Sequence, residues 1–139
     1  MSRKDHPNFS PRINNRRALH DFFITAKLEC GIVLEGSEVK SLRQGKASLQ
    51  ESYAAIERGQ LILHGCHIDP YEKATLAWNH TPLRDRVLLV HKREIRRLET
   101  EIKQGGMTLI PLAIYFKDGR AKVELGVARG KKQHDKRES

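Results

Sequence analysis

A chain of 139 residues suits one domain around a single core, and 38% apolar residues with plentiful Val, Ile and Leu favour folding over disorder. Lys and Arg number 26 against 17 Asp and Glu, so the formal charge of +9 favours a polyanion as partner: RNA, DNA or an acidic membrane surface. No apolar run approaches the roughly 20 residues that cross a bilayer and the basic first residues lead into no apolar stretch, which disfavours a secreted or membrane protein.

Residues 1–15 read as a flexible arm, with Pro7, Pro11 and three Asn among aperiodic basic residues, and order is expected to begin near Arg16. From His20 the chain alternates, His20, Phe22, Ile24, Ala26 and Leu28 on one face, as a half-buried strand does, and Phe23 breaks the pattern. Gly36 to Gly45 predicts a short helix that Ser37 caps, Glu38 suits electrostatically and Gly45 stops. Val39 and Leu42 would face the core, while Lys40 and Arg43, at i, i+3 spacing, gather with Lys46 at the helix end, a cluster that fits a phosphate backbone.

Apolar runs Tyr53 to Ile56 and Leu61 to Leu63 flank Arg58-Gly59 and predict a hairpin. Pro70 to Pro82, with Trp78, Asn79 and His80, reads as a loop, either functional or a long connection. Val87 to Val90 is a strand candidate that leads into an amphipathic helix over Lys92 to Lys103, with Ile95, Leu98 and Ile102 on one face and Gly105-Gly106 as the stop. The last hairpin is the clearest: Ile110, Leu112, Ile114 and Phe116 alternate before Asp118-Gly119, and Ala121, Val123, Leu125 and Val127 after it. The sum is a mainly β protein: a small closed antiparallel barrel of OB-like type over 16–129, with two or three helices packed outside.

Arg16 and Arg17 can grip phosphates bidentately, and His20 beside aromatic residues can stack on an unpaired base, whereas Phe22 belongs more readily to the core. Glu29 could accept from a guanine edge or orient a neighbouring Arg, and an ordinary surface carboxylate is equally compatible with the residue. His64, Cys66 and His67 lack the partners and the facing of a metal site, and no P-loop, GxSxG or HExxH is present, so neither metal, cofactor nor catalysis is expected. Cys30 and Cys66 read as small buried or half-buried residues of a reducing cytoplasm. On the second helix His91, Lys92 and Arg93 are better candidates for RNA than Arg96 and Arg97, which Glu99 and Glu101 offset. Six of the ten residues from Ala128 to Arg137 are Lys, Arg or His, so 130–139 is expected to be a flexible basic tail that orders on RNA.

Three strings together go further: Asn15-Arg16-Arg17-Ala18-x-His20-Asp21, Gly31 to Ala47, and Gly126-Val127-Ala128-Arg129-Gly130-Lys131-Lys132-x-His134-Asp135-Lys136-Arg137. In order and spacing the chain from Asn15 resembles the SsrA-binding (SmpB) family. That resemblance implies an OB-like, non-catalytic adaptor that binds the elbow and D-loop of the tRNA-like domain of transfer-messenger RNA (tmRNA). It further implies delivery of that RNA to the empty A site of a stalled ribosome for trans-translation, which rescues the ribosome and tags the incomplete protein. The RNA-binding face it implies comprises Arg16, Arg17, His20, Glu29, Lys40, Arg43, Lys46, His91, Lys92, Arg93 and Arg129. Gly130, Lys131, Lys132, His134, Asp135, Lys136 and Arg137 correspond to the tail that enters the decoding centre of 16S rRNA and the mRNA channel of the 70S ribosome. Elongation factor Tu and alanyl-tRNA synthetase are implied as neighbours through the RNA.

Two departures stand out: Leu19 where a second basic residue is usual with Phe22 where Tyr is frequent, and an end at Ser139 where the family continues with a Lys, Arg and Glu-rich segment. The latter reads as a truncated tail, which would preserve RNA binding and weaken tagging. Two other classes compete from composition alone: an OB protein that contacts ribosomal RNA directly, and a small RNA nuclease or metal-dependent hydrolase. Preference for the tRNA-like domain argues against the first, and an RNA that stays intact argues against the second.

Overall fold

The computed structural model describes residues 11–131. Its elements in chain order are β1 (Ile13–Asn14), α1 (Ala18–Asp21), β2 (Phe22–Ile32), α2 (Gly36–Arg43), β3 (Ala47–Ser48), β4 (Tyr53–Glu57) and β5 (Gln60–His64). They continue with β6 (His67–Ile68), a 3-10 turn at Leu76–Trp78, β7 (Arg86–Leu89), α3 (Lys92–Lys103), β8 (Thr108–Lys117) and β9 (Arg120–Gly130). Both predicted hairpins form on their two-residue turns. Arg58 and Gly59 have φ of 53° and 77°, and Asp118 and Gly119 53° and 79°, left-handed pairs whose twist matches that of the strands they join.

The strands pair in the order β8, β4, β5, β7, β2, β9, and β9 pairs again with β8, so six antiparallel strands form a ring. β1 adds to the outside of the seam on β8, with Ile13 opposite Ile114, so order begins before Arg16, earlier than the sequence suggests. β3 and β6 make a separate two-stranded ladder. Inside the ring Cys30, Leu61, Leu63, Leu88, Leu109, Ile114, Val123 and Leu125 are buried together, with Leu42 of α2 and Leu98 of α3 added from the helices. The fold is thus mainly β, with three α-helices among the described residues.

The alternation in β2 and β8 does not run to one face. β2 slips register between Ile24 and Ala26, and β8 between Pro111 and Ala113. Each slip moves the following side chains to the other face of the sheet. Phe22, Ile24, Ile110 and Leu112 therefore form a second apolar cluster with Ala18 and Ala128, while Leu28, Cys30, Ile114 and Phe116 join the main core. Thr25 Oγ1 donates to the Val127 carbonyl at 3.1 Å at the first slip. Pro111, which has no N–H for the ladder, stands at the second. The expected strand start at His20 is also displaced: His20 lies in α1, which Ala18 fixes onto this second cluster.

Ser37 does not cap α2. The helix begins after Glu35, whose N–H donates to Glu38 Oε1 at 2.7 Å, and the Ser37 hydroxyl instead lies 2.8 Å from His80 Nδ1. Its end follows the predicted stop. Gly45, at φ 73°, donates to the Leu42 carbonyl at 2.9 Å and Lys46 N–H to the Ser41 carbonyl at 3.0 Å, the paired bonds of a Schellman end. α3 runs over the predicted residues and stops at Gly105 and Gly106, both of positive φ.

Candidate nucleic-acid interface

The slip in β8 is also what anchors the basic segment before α1. Carbonyls freed from the ladder there are taken by Asn15, whose Nδ2 donates to Pro111 O and whose N–H donates to Leu112 O, both at 2.9 Å. Asn15 O accepts in turn from Ala18 N–H at 3.2 Å, so the chain turns into α1 with Arg16 and Arg17 outside it, both exposed. A groove of about 500 Å³ runs between this segment and the exit of α2, lined by Arg12, Asn14, Arg16, Arg17, Ser48 and Gln50 among others. A second groove of about 450 Å³ shares Asn15, Arg17 and Gln50 with it and continues to Asp21, Phe22 and Tyr53. Three guanidinium groups with amide and hydroxyl donors suit phosphate and base edges.

Arg17 is partly spoken for. It lies 3.3 Å from Asp21, and His20 Nδ1 lies 2.9 Å from the same carboxylate, which these two hydrogen bonds, His20's first, hold below the ordinary Asp range. The cluster presents a braced cation rather than a loose one. At the end of α2, Lys40 is exposed, Lys46 lies 4.0 Å from Glu72, and the Arg43 guanidinium stacks 3.8 Å over the Phe116 ring. The stack leaves Arg43 oriented by an aromatic face.

Glu29 is not an isolated carboxylate. Tyr115 Oη donates to it at 2.5 Å and Lys117 Nζ at 3.4 Å. The tyrosine bond foremost keeps Glu29 below the usual Glu range, while burial and Glu29 together push the Tyr115 hydroxyl up to about 12. Arg12, 4.9 Å over the Tyr115 ring and 3.5 Å from Glu124, joins this network to the first groove. His91, Lys92 and Arg93 are exposed at the start of α3 and line neither groove. Arg129 reaches the Met107 sulfur at 3.9 Å.

The ordered chain runs past the expected start of the tail at Gly130. Gly130 still pairs with Phe22, and Lys131 donates its N–H to Asp21 O at 2.9 Å and its ammonium to Leu19 O at 2.8 Å, 5.0 Å over the Phe23 ring. Lys132, His134, Asp135, Lys136 and Arg137 lie outside the described residues.

Sequence reading missed two features. Arg12 falls within the segment that the sequence assigns to the arm, and its only signal is charge beside an apolar Ile13. The larger omission is a buried ionic centre. Arg86, fully buried, donates from Nε to Glu38 Oε2 at 2.6 Å, from Nη1 to Cys66 O at 2.7 Å and from Nη2 to Pro82 O at 3.1 Å. Arg84 adds Nη2 to Glu38 Oε1 at 2.6 Å. A usable signal existed, since Arg86 directly precedes the apolar run from Val87 and, carried into the core at the start of β7, requires a carboxylate there.

The sequence profile of the SmpB protein family matches residues 12–139. The chain belongs to the SmpB family. Among its relatives, the SsrA-binding protein of Acetivibrio thermocellus is 55% identical over 124 residues, 89% of this chain and 80% of that protein. The SsrA-binding protein of Clostridium kluyveri is 50% identical over 139 residues, 100% of this chain and 88% of the relative. A solved structure described as "tmRNA-SmpB: a journey to the center of the bacterial ribosome" superposes with a TM-score of 0.74 at 52% identity, covering 88% of this chain and 86% of that one. SmpB membership thus rests on sequence and fold together, across the segment that carries the groove and the α2 cluster.

Proposed function

We propose that this protein binds the tRNA-like domain of tmRNA and helps deliver it to the A site of stalled ribosomes for trans-translation, acting as a non-catalytic adaptor in the cytoplasm. The observation that carries this is the SmpB family match over residues 12–139, and the braced basic surface agrees with it. We read the six-strand ring with its external helices as an OB-like closed barrel, the body that grips RNA, and the basic sequence of 130–139 as the ribosome-directed segment. The RNA face comprises Arg16 and Arg17 at the groove with His20 next to Arg17, Lys40, Arg43 and Lys46 at the α2 exit, Glu29, His91, Lys92 and Arg93, and Arg129. Glu29 acts by fixing Tyr115 and Lys117.

The test is a titration into labelled tRNA-like domain at about 150 mM salt against excess ordinary tRNA, where charge alone gives weak, exchangeable binding. Wild type is expected to resist the competitor. The Arg43→Ala, Lys46→Ala double variant should bind more weakly, and its log–log salt slope should be smaller by roughly 1.5, two phosphate contacts at 0.7 to 0.9 each. Equal displacement by tRNA would favour direct contact with ribosomal RNA instead.

A further inference from the structure

Between Asp69 and Leu83 the chain makes a loop whose apolar side chains point away from the core. Leu76 is 95% exposed and Trp78 82%. An indole this exposed on an unrestrained loop would carry little meaning, but this loop is restrained at several points. Asn79 Oδ1 accepts from Tyr71 N–H at 3.0 Å while its Nδ2 donates to Tyr71 O at 2.8 Å, which closes the loop on itself. Both ends are then fastened along one stripe of α2. Ser41 Oγ donates to Asp69 O at 2.7 Å, and Ser37 Oγ lies 2.8 Å from the buried His80, whose Nε2 donates to Ile68 O at 2.9 Å.

That stripe belongs to the helix whose end carries Lys40, Arg43 and Lys46, and Lys46 itself reaches Glu72 on the loop. The loop that carries the indole is therefore tied to the element that carries these cations, on a frame that leaves its backbone little conformational freedom to lose. An exposed aromatic ring on a loop fastened to a basic element suits an unpaired base stacking on it while the basic element follows the backbone. We propose that Trp78 is a stacking platform for an unpaired nucleotide of the bound RNA, extending the α2 surface. This rests on the RNA-binding reading above and adds a specific contact to it.

Trp78 is the one tryptophan in the chain, so its fluorescence reports this contact alone. In a single titration of the full chain with labelled tRNA-like domain, anisotropy of the RNA and emission of the indole are read together. Trp78 emission should be quenched along the anisotropy isotherm. Trp78→Ala should weaken binding roughly tenfold with an unchanged salt slope, since a stacked base and not a phosphate is lost, and Trp78→Phe should recover most of it. The side chain is exposed, so both variants keep the fold. Full anisotropy with unchanged emission, together with wild-type affinity in Trp78→Ala, overturns the platform and leaves the RNA-binding reading intact. Quenching by ribosomes but not by the RNA also overturns it and assigns the loop to another surface. Absence of any anisotropy change removes the RNA-binding reading, and the platform with it.

Discussion

Glu38 is a charge inside a core, and what surrounds it decides its sign of influence. Burial works against its ionisation, yet Arg84, the Glu35 N–H and Arg86 outweigh that and hold the carboxyl below the ordinary value of 4.5. A depressed folded pKa gives stability that is present above the ordinary value and lost as pH falls through the folded one. Glu38→Gln should thus lose about 3–5 kcal/mol in urea unfolding at pH 7, because Arg86 is left buried and unpaired, and the gap to wild type should narrow below pH 4.5. A gap independent of pH would mean the pair is held neutral. His64 carries the opposite sign. Burial opposes its charging, but Glu57 at 2.6 Å and Asp85 at 2.9 Å take both ring nitrogens and raise its pKa above 6.5. Its contribution is complete below 6.5 and fades as pH rises through the raised folded value, so an NMR titration should place His64 above 6.5 in wild type. In Glu57→Gln it should fall back.

At the level of elements, the helix end and the bulges matter most. Gly45→Ala forces a side chain into a left-handed position and should cost about 1 kcal/mol in thermal unfolding. It should also lower RNA affinity, because the same turn aims Lys46, and unchanged affinity would separate that turn from the site. Turns and helices were legible in the sequence for a local reason: Arg58-Gly59, Asp118-Gly119, Gly45 and the i, i+3, i+7 stripe of α3 act through a few neighbouring residues. The bulges were not. Period-2 alternation over Ile110 to Phe116 looks the same whether or not the strand slips, and only Pro111 hints that it does. Asn15 was legible as part of a motif, but its work on the Pro111 and Leu112 carbonyls depends on a slip 96 residues away. Glu38 was read as a helix-end charge because nothing local marks its pairing with Arg84 and Arg86.

For the whole molecule, the main core buries both cysteines. Burial pushes the Cys30 thiol up to about 12 and that of Cys66 to about 11. Neither should react with a thiol reagent at pH 8 until the ring opens, so labelling rates in rising urea should follow global unfolding, and fast labelling in its absence would contradict the closed packing. The ring's other property is mechanical. β9 is laddered to β2 from Phe22 opposite Gly130 to Gly31 opposite Lys122, and to β8 from Thr108 opposite Ala128 to Lys117 opposite Arg120. It is an interior strand along nearly its whole length, and its last residue leads directly to Lys131. Tension applied there along the strand axis is carried in shear by two ladders at once, whereas a strand at an open margin would peel one bond at a time. Load entering at Lys131 is thus shared between two seams of the ring.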